Sequence, residues 1–209
     1  SKVMFGNING ATILGTVLEH VDIDTRDGGD AEMTAGLVGS ATGNYRITEC
    51  GLESGTVMSM LDSAGILAYS YSDGTISKCY NKADISTDLS RTSAVSGGII
   101  CRGRDGTVIN CFNEGTIRCS GGKDTHAAGI WSFTYKKGAS TAPAVIESCY
   151  NVGPIINGSS SYANKLAITR TEPTVNNCYY LSGKGEGRGI VLTDSKMKSW
   201  AFAYALNGK

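Results

Sequence analysis

The sequence predicts an all-β chain: a parallel, right-handed β-helix solenoid with coils of about 30 residues and a short C-terminal helix. Three observations lead there. One cysteine-centred block recurs along the chain, a glycine-aliphatic block recurs ahead of it, and the composition suits short strands joined by many turns. Gly reaches 28 residues and Pro only 3, charged residues are 18%, and apolar clusters never lengthen into a helical stripe.

The cysteine block is read first. Cys50, Cys79, Cys111, Cys149 and Cys178 each follow a β-branched residue by three positions (Ile47, Ile76, Val108, Ile146, Val175). The cysteines are 29, 32, 38 and 29 residues apart, and a second β-branched residue comes six or seven positions on at Val57, Ile85, Ile117 and Ile155. An aromatic follows directly in Tyr80, Phe112, Tyr150 and Tyr179, then Asn in Asn81, Asn113 and Asn151; Cys50 is followed by Gly51-Leu52 instead. The glycine-aliphatic block reads Ala35-Gly36-Leu37-Val38, Ala64-Gly65-Ile66-Leu67, Gly97-Gly98-Ile99-Ile100 and Ala128-Gly129-Ile130-Trp131. A unit this short cannot bury its own apolar face and must stack on its neighbours.

Stacking accounts for the residue types. Equivalent positions lie about 4.8 Å apart along the axis, so like residues form ladders. Cysteine is a small hydrophobe suited to a narrow interior column. Asparagine tolerates left-handed angles at a turn and bonds the amide one coil away. Glycine permits the tight corner of the second block. Seven cysteines is an odd number, and the five in the ladder are expected as buried thiols, with Cys101 and Cys119 the exceptions in which a different redox state is most expected.

The Gly36-Leu37-Val38-Gly39 block, with the Cys79-Tyr80-Asn81 and Cys149-Tyr150-Asn151 turns, resembles the GLUG repeat. That family occurs in exported bacterial surface proteins, including adhesins and the non-catalytic region of streptococcal IgA-cleaving metallopeptidases. The resemblance spans roughly residues 30 to 182 and implies an extracellular, cell-surface β-helical module without catalytic residues of its own. The chain departs from the pattern at Ala68, Cys101 and Ser132, where glycine is missing, and before Cys178, where Leu166-Ala167-Ile168 is a poor match.

The repeat domain is expected over 1–182, followed over 183–209 by a glycine-rich segment and a capping helix. Thr193-Asp194-Ser195 caps that helix, with Met197, Trp200, Ala201 and Tyr204 on one face and Gly208 as the stop. Ser1-Lys2 opens in mid-pattern, which reads as a fragment cut from a longer exported protein.

Most chemistries find no residues. With 19 basic and 19 acidic side chains the net charge is zero, which disfavours nucleic acid as a partner. No apolar run has the length of a membrane helix, so no membrane insertion is expected of this fragment. His20 and His126 stand outside any HExxH, no cysteines are spaced C-x-x-C, and no dinucleotide or phosphate-loop fingerprint is complete. No metal and no cofactor are expected. Asp22 to Asp30 resembles a calcium loop, but Arg26 occupies a ligand position, so a solvated acidic turn is the reading.

The functional candidate is aromatic. Strand alternation places Leu37, Ile66, Ile99 and Ile130 inward together with Gly39, Ala68, Cys101 and Ser132. It sends Tyr69, Arg102, Trp131, Phe133 and Tyr135 outward as one ligand-binding strip across adjacent coils. The alternative is that loops such as Thr134 to Pro143 fold over the strip as a second small core. The expected role is a non-enzymatic surface module, spacer or adhesive, that meets a host or cell-wall glycan or protein. The second reading is a β-helical lyase or glycoside hydrolase acting on polysaccharide, which needs carboxylates with Lys or Arg at equivalent outward positions. The positions beside the cysteines hold Thr48, Lys78, Asn110, Ser148 and Asn177, almost without carboxylates.

Overall fold

The computed structural model describes residues 3–27, 33–88, 93–120, 124–135, 144–157, 162–164, 167–169, 173–183 and 188–206. It is an all-β solenoid in which coil after coil passes through five parallel sheets in the same order. The Cys79 coil is representative: Leu67–Ser70, Thr75–Ser77, Tyr80–Asn81, Asp84–Thr87 and Ser93–Gly97 lie in the first to fifth sheets respectively. In the second sheet the β-branched residues pair in register from Ile13 through Ile47, Ile76, Val108 and Ile146 to Val175. The repeat read from the cysteines is thus the coil. The poorly matching Ala167–Thr169 still forms a first-sheet strand, with a register shift where it meets Trp131 and Thr134.

The corner between the second and third sheets explains the cysteines. The residue before each one is left-handed: Glu49, Lys78, Asn110, Ser148 and Asn177 have φ between 48° and 55°, and Gly15 takes that place in the first coil at 64°. The left-handed turn therefore falls one residue before the cysteine, and not at Asn81, Asn113 and Asn151, where the sequence placed it. The bend turns the cysteine N–H inward, away from the sheet ladder. It donates to the sulfur one coil on, Cys50 N to Cys79 Sγ, Cys79 N to Cys111 Sγ and Cys111 N to Cys149 Sγ, each at 3.4 Å. Each thiol in turn donates to a carbonyl two residues back, such as Cys79 to Ser77 at 3.2 Å and Cys111 to Ile109 at 3.3 Å. All seven cysteines are free and buried, Cys101 and Cys119 included. Burial raises the pKa of Cys111, Cys101 and Cys119 and keeps these thiols neutral.

Asn81, Asn113 and Asn151 are fully buried. Asn81 Nδ2 donates to Asn113 Oδ1 at 2.8 Å and Asn113 Nδ2 to Asn151 Oδ1 at 2.7 Å. The second proton of each amide goes to a carbonyl two residues on, at Ala83, Gly115 and Gly153. The column ends at Asn81 because the preceding coil carries Leu52, which has no donor for Asn81 Oδ1. Facing this column are the glycines of the second block. A Cβ on Gly65 would lie 2.8 Å from Asn81 Oδ1, one on Gly98 would lie 2.6 Å from Asn113 Oδ1, and one on Gly129 would strike Asn151. On Gly36 it would lie 2.5 Å from Leu52, the residue that replaces asparagine there. The two sequence blocks meet in this interior contact, and at Gly65 and Gly98 the carbonyl oxygen of the next coil's glycine lies closer still to an added Cβ.

A smaller hydroxyl column fills the corner between the fourth and fifth sheets, where Thr25 meets Thr34 at 2.9 Å and Thr87 meets Ser96 at 3.0 Å. Beyond residue 183 the solenoid continues: Ile190–Leu192 adds a parallel strand beside Tyr179–Leu181, so the fold runs past the expected boundary at 182. Helices α1 (Asp194–Met197) and α2 (Trp200–Leu206) follow. Thr193 caps α1 as expected, accepting from Lys196 N. The contact face of α2 is not the expected one. Phe202 packs edge-on against Tyr150 and Tyr179 at 5.8 and 5.1 Å, while Trp200 is 81% exposed and Tyr204 56%. Residues two apart on a helix point about 200° from each other, so a docked Phe202 turns both away. Gly208 lies outside the described residues, as do 184–187 of the glycine-rich segment.

The cysteine column yields a specific expectation. Cys111→Ala removes the acceptor of the Cys79 N–H and leaves a small void, at a cost of about 2 kcal/mol. Cys111→Val refills the volume without an acceptor, so denaturant unfolding should place it well below the parent. A valine variant as stable as the parent would make the sulfur mere filling.

Candidate functional site

Outside the main core lies a second apolar cluster. It takes Ala35, Ala64 and Val95 from the fifth sheet and Ala68, Cys101 and Phe133 from the first, with Met33 and Tyr135 packed against it. The faces of these two sheets that point away from the core thus converge on each other across the glycine turn. Ala68 and Cys101 belong here, on the outer side, and not to the interior position expected of them.

The corner also relocates Trp131. Leu37 and Val38, Ile66 and Leu67, Ile99 and Ile100, and Ile130 and Trp131 all join the main core. Two consecutive inward residues are impossible in a flat strand and natural at a bend. Trp131, expected on the outer strip, is 0% exposed. Its ring lies over Gly103, where a Cβ would come within 2.5 Å of Cζ2.

The remaining four predicted residues do come together. Tyr69 pairs in register with Arg102, and Arg102 with Phe133. Arg102 Nε donates to Asp62 Oδ2 at 2.7 Å, bridging the first and fifth sheets, and its guanidinium lies 5.2 Å from the Phe133 ring centre. Phe133 is 8% exposed, with the His126 ring 4.9 Å away, so it lies beneath the surface between the two sheets and not on it. Burial raises the Tyr69 pKa, with Tyr71 adding and Arg104 and Arg102 opposing.

A second row runs beside the first, one residue beyond the paired Ser70, Gly103 and Thr134: Tyr71, Arg104 and Tyr135. The Arg104 guanidinium lies 5.5 Å from the ring centres of both Tyr71 and Tyr135, and Nε donates to the Tyr135 hydroxyl at 3.3 Å. Tyr71 stacks on Tyr69 at 4.0 Å, and Tyr69 meets Tyr135 edge-on at 6.0 Å. The rows are aromatic-Arg-aromatic across three successive coils. Arg104 was missed by sequence reasoning, although a signal exists: Tyr69-x-Tyr71, Arg102-x-Arg104 and Phe133-x-Tyr135 repeat one spacing. Most of the loop proposed to cover the strip, 136–143, lies outside the described residues.

Elsewhere Tyr80, Phe112 and Tyr150 stack face to face on the third sheet at 5.3 and 5.1 Å, which spends their faces on each other. In the acidic turn Arg26 holds Asp24 with Nε at 2.9 Å and Nη2 at 2.6 Å, while residues 28–30 lie outside the described residues. Among the described residues no three His, Cys, Asp or Glu side chains gather as a metal-holding group, and no helix is long and apolar enough to cross a membrane. At the left-handed corner the counterpart of Lys78 is Glu49, not Thr48, which pairs with Ser77; Glu49 accepts from Lys78 at 2.9 Å. Comparison with protein-family models, curated proteins and solved structures finds no match to this chain.

Trp131 and Tyr71 separate core from surface. Trp131→Ala should cost roughly 3–5 kcal/mol, whereas Tyr71→Ala should leave the melting temperature within a few degrees. Equal melting curves for Trp131→Ala and the parent would place Trp131 outside the core.

Proposed function

We propose that the chain is a non-enzymatic surface repeat module of a bacterium, adhesive rather than a bare spacer, and that it binds glycan in the groove between its first and fifth sheets. The observation that carries this is the paired aromatic-Arg-aromatic rows. Tyr71 is 36% exposed, and Tyr69, Arg104 and Tyr135 are half-buried around it. Sugar rings pack their C–H faces on such side chains, and tyrosine and arginine commonly dominate contact energy. The inner row lies on hydrogen-bonded strands and the outer row directly follows them, so binding orders little new chain. The resemblance of the repeat blocks to GLUG surface proteins supports export and a cell-surface location.

The reading without catalysis rests on how the groove's charges are used. Asp62, 3% exposed, is bound to Arg102, and a carboxylate so engaged is a poor general acid or base. The direct test is a glycan array probed with the 209-residue chain and with Tyr71→Ala. The expected result is binding to a restricted set of glycans that Tyr71→Ala weakens at least roughly tenfold, the effect of losing one central contact. Turnover of any array glycan, or binding indifferent to Tyr71→Ala, would overturn the proposal.

A further inference from the structure

We infer that the groove's ligand is an acidic polysaccharide, with Arg104 meeting an oxyanion substituent, carboxylate or sulfate, on the sugar lying over Tyr71. This rests on the glycan-binding reading above and goes further by fixing the ligand's charge.

The two rows differ in one respect. In the inner row Arg102 is neutralised: its Nε reaches Asp62 Oδ2 at 2.7 Å, and both side chains are largely buried. In the outer row Arg104 forms no ion pair among the described residues; its recorded partners are the rings of Tyr71 and Tyr135 and the hydroxyl of Tyr135. Buried charges are paired or they are costly, and Arg102 follows that rule. Arg104 sits half-buried with its charge answered only by ring faces and a neutral oxygen.

The geometry fixes how that charge is presented. Nε is spent on the Tyr135 hydroxyl, which leaves the terminal Nη1 and Nη2 groups as donors. Two N–H donors side by side in a plane match the paired oxygens of a carboxylate or sulfate. The Tyr71 and Tyr135 rings flank the guanidinium and the Tyr135 hydroxyl accepts from Nε, so the guanidinium is ordered before ligand arrives. Tyr71, stacked on Tyr69 and still partly exposed, offers adjoining apolar surface for the ring bearing the anion. A neutral glycan would cover Arg104 without satisfying it, and desolvating it unpaired opposes binding.

The experiment measures affinity of the 209-residue chain for polygalacturonate, alginate, hyaluronan and dextran sulfate. Methyl-esterified polygalacturonate and dextran serve as uncharged counterparts, and the parent is compared with Arg104→Gln, Arg104→Lys and Tyr71→Ala. The expected result is that at least one acidic polymer binds, its uncharged counterpart does not, and Arg104→Gln weakens binding by roughly tenfold or more. Arg104→Lys should recover part of the loss, since it keeps charge but not the planar pair of donors. Binding should weaken with added salt in the parent and far less in Arg104→Gln. Whether the preferred polymers are the uronates or dextran sulfate identifies the oxyanion. Binding to uncharged glycans that depends on Tyr71 but not on Arg104 would overturn this inference and leave the glycan site standing. No binding to any polymer, charged or uncharged, would overturn both. The Arg104 variants keep the parent melting temperature if the residue serves binding, and a collapse in both would make it structural.

Discussion

The coil is organised around the contact between a buried amide and a glycine across the solenoid interior. Asn81, Asn113 and Asn151 form one hydrogen-bonded column in which each also donates to a turn carbonyl, and each needs the space in front of it that only glycine leaves. An amide buried without partners costs several kcal/mol, and a column of them is stable only if every coil holds the same register. Register along the axis is therefore set by hydrogen bonds, while the β-branched ladder supplies apolar burial. The first coil boundary illustrates the coupling: Leu52 replaces the amide, and Gly36 faces it with the same absence of a Cβ.

The cysteines answer a second consequence of coiling. A chain that turns through left-handed Glu49, Lys78, Asn110, Ser148 or Asn177 brings the next N–H into the interior, where no sheet carbonyl waits. For Cys50, Cys79 and Cys111 a sulfur one coil on accepts it, and that sulfur's own proton returns to a carbonyl. Alanine would fit the space and valine would fill it, yet neither would satisfy the donor. This gives the recurring cysteine a backbone function, independent of redox chemistry.

Much of this was legible in the sequence because ladders repeat residue types. The repeat length, the parallel solenoid, the buried cysteines and the bonded amides followed from aligning Cys50 to Cys178 and the glycine blocks. What was not legible lies at corners. Strand alternation assumes a flat strand, and the bend that admits both Ile130 and Trp131 to the core broke it by one residue. That shift moved Trp131 inside and Ala68 and Cys101 outside. It left Tyr69, Arg102, Phe133 and Tyr135 together as expected, since they lie beyond the bend. Arg104 escaped notice because its row becomes visible only when Tyr71 and Tyr135 are placed beside it. The docking of α2 through Phe202 escaped as well, because the stripe read through Met197, Trp200, Ala201 and Tyr204 assumed one continuous helix, and the chain breaks it between α1 and α2.

The same geometry connects the interior to the surface. The glycine turn that makes room for the amides also folds the first sheet toward the fifth, and so brings together the outer faces beside which Tyr71 and Arg104 stand. The most direct measurement of this account is a double-mutant cycle on Gly129→Ala and Asn151→Ala, read by denaturant unfolding. The three atoms nearest to a Cβ on Gly129 all belong to the Asn151 side chain, and Asn151→Ala removes the closest two, Cγ and Oδ1. Gly129→Ala should cost about 1–3 kcal/mol in the parent and less in the Asn151→Ala background, a coupling of about 1 kcal/mol. Additive costs would contradict it, because glycine and amide would then act as independent features of the coil.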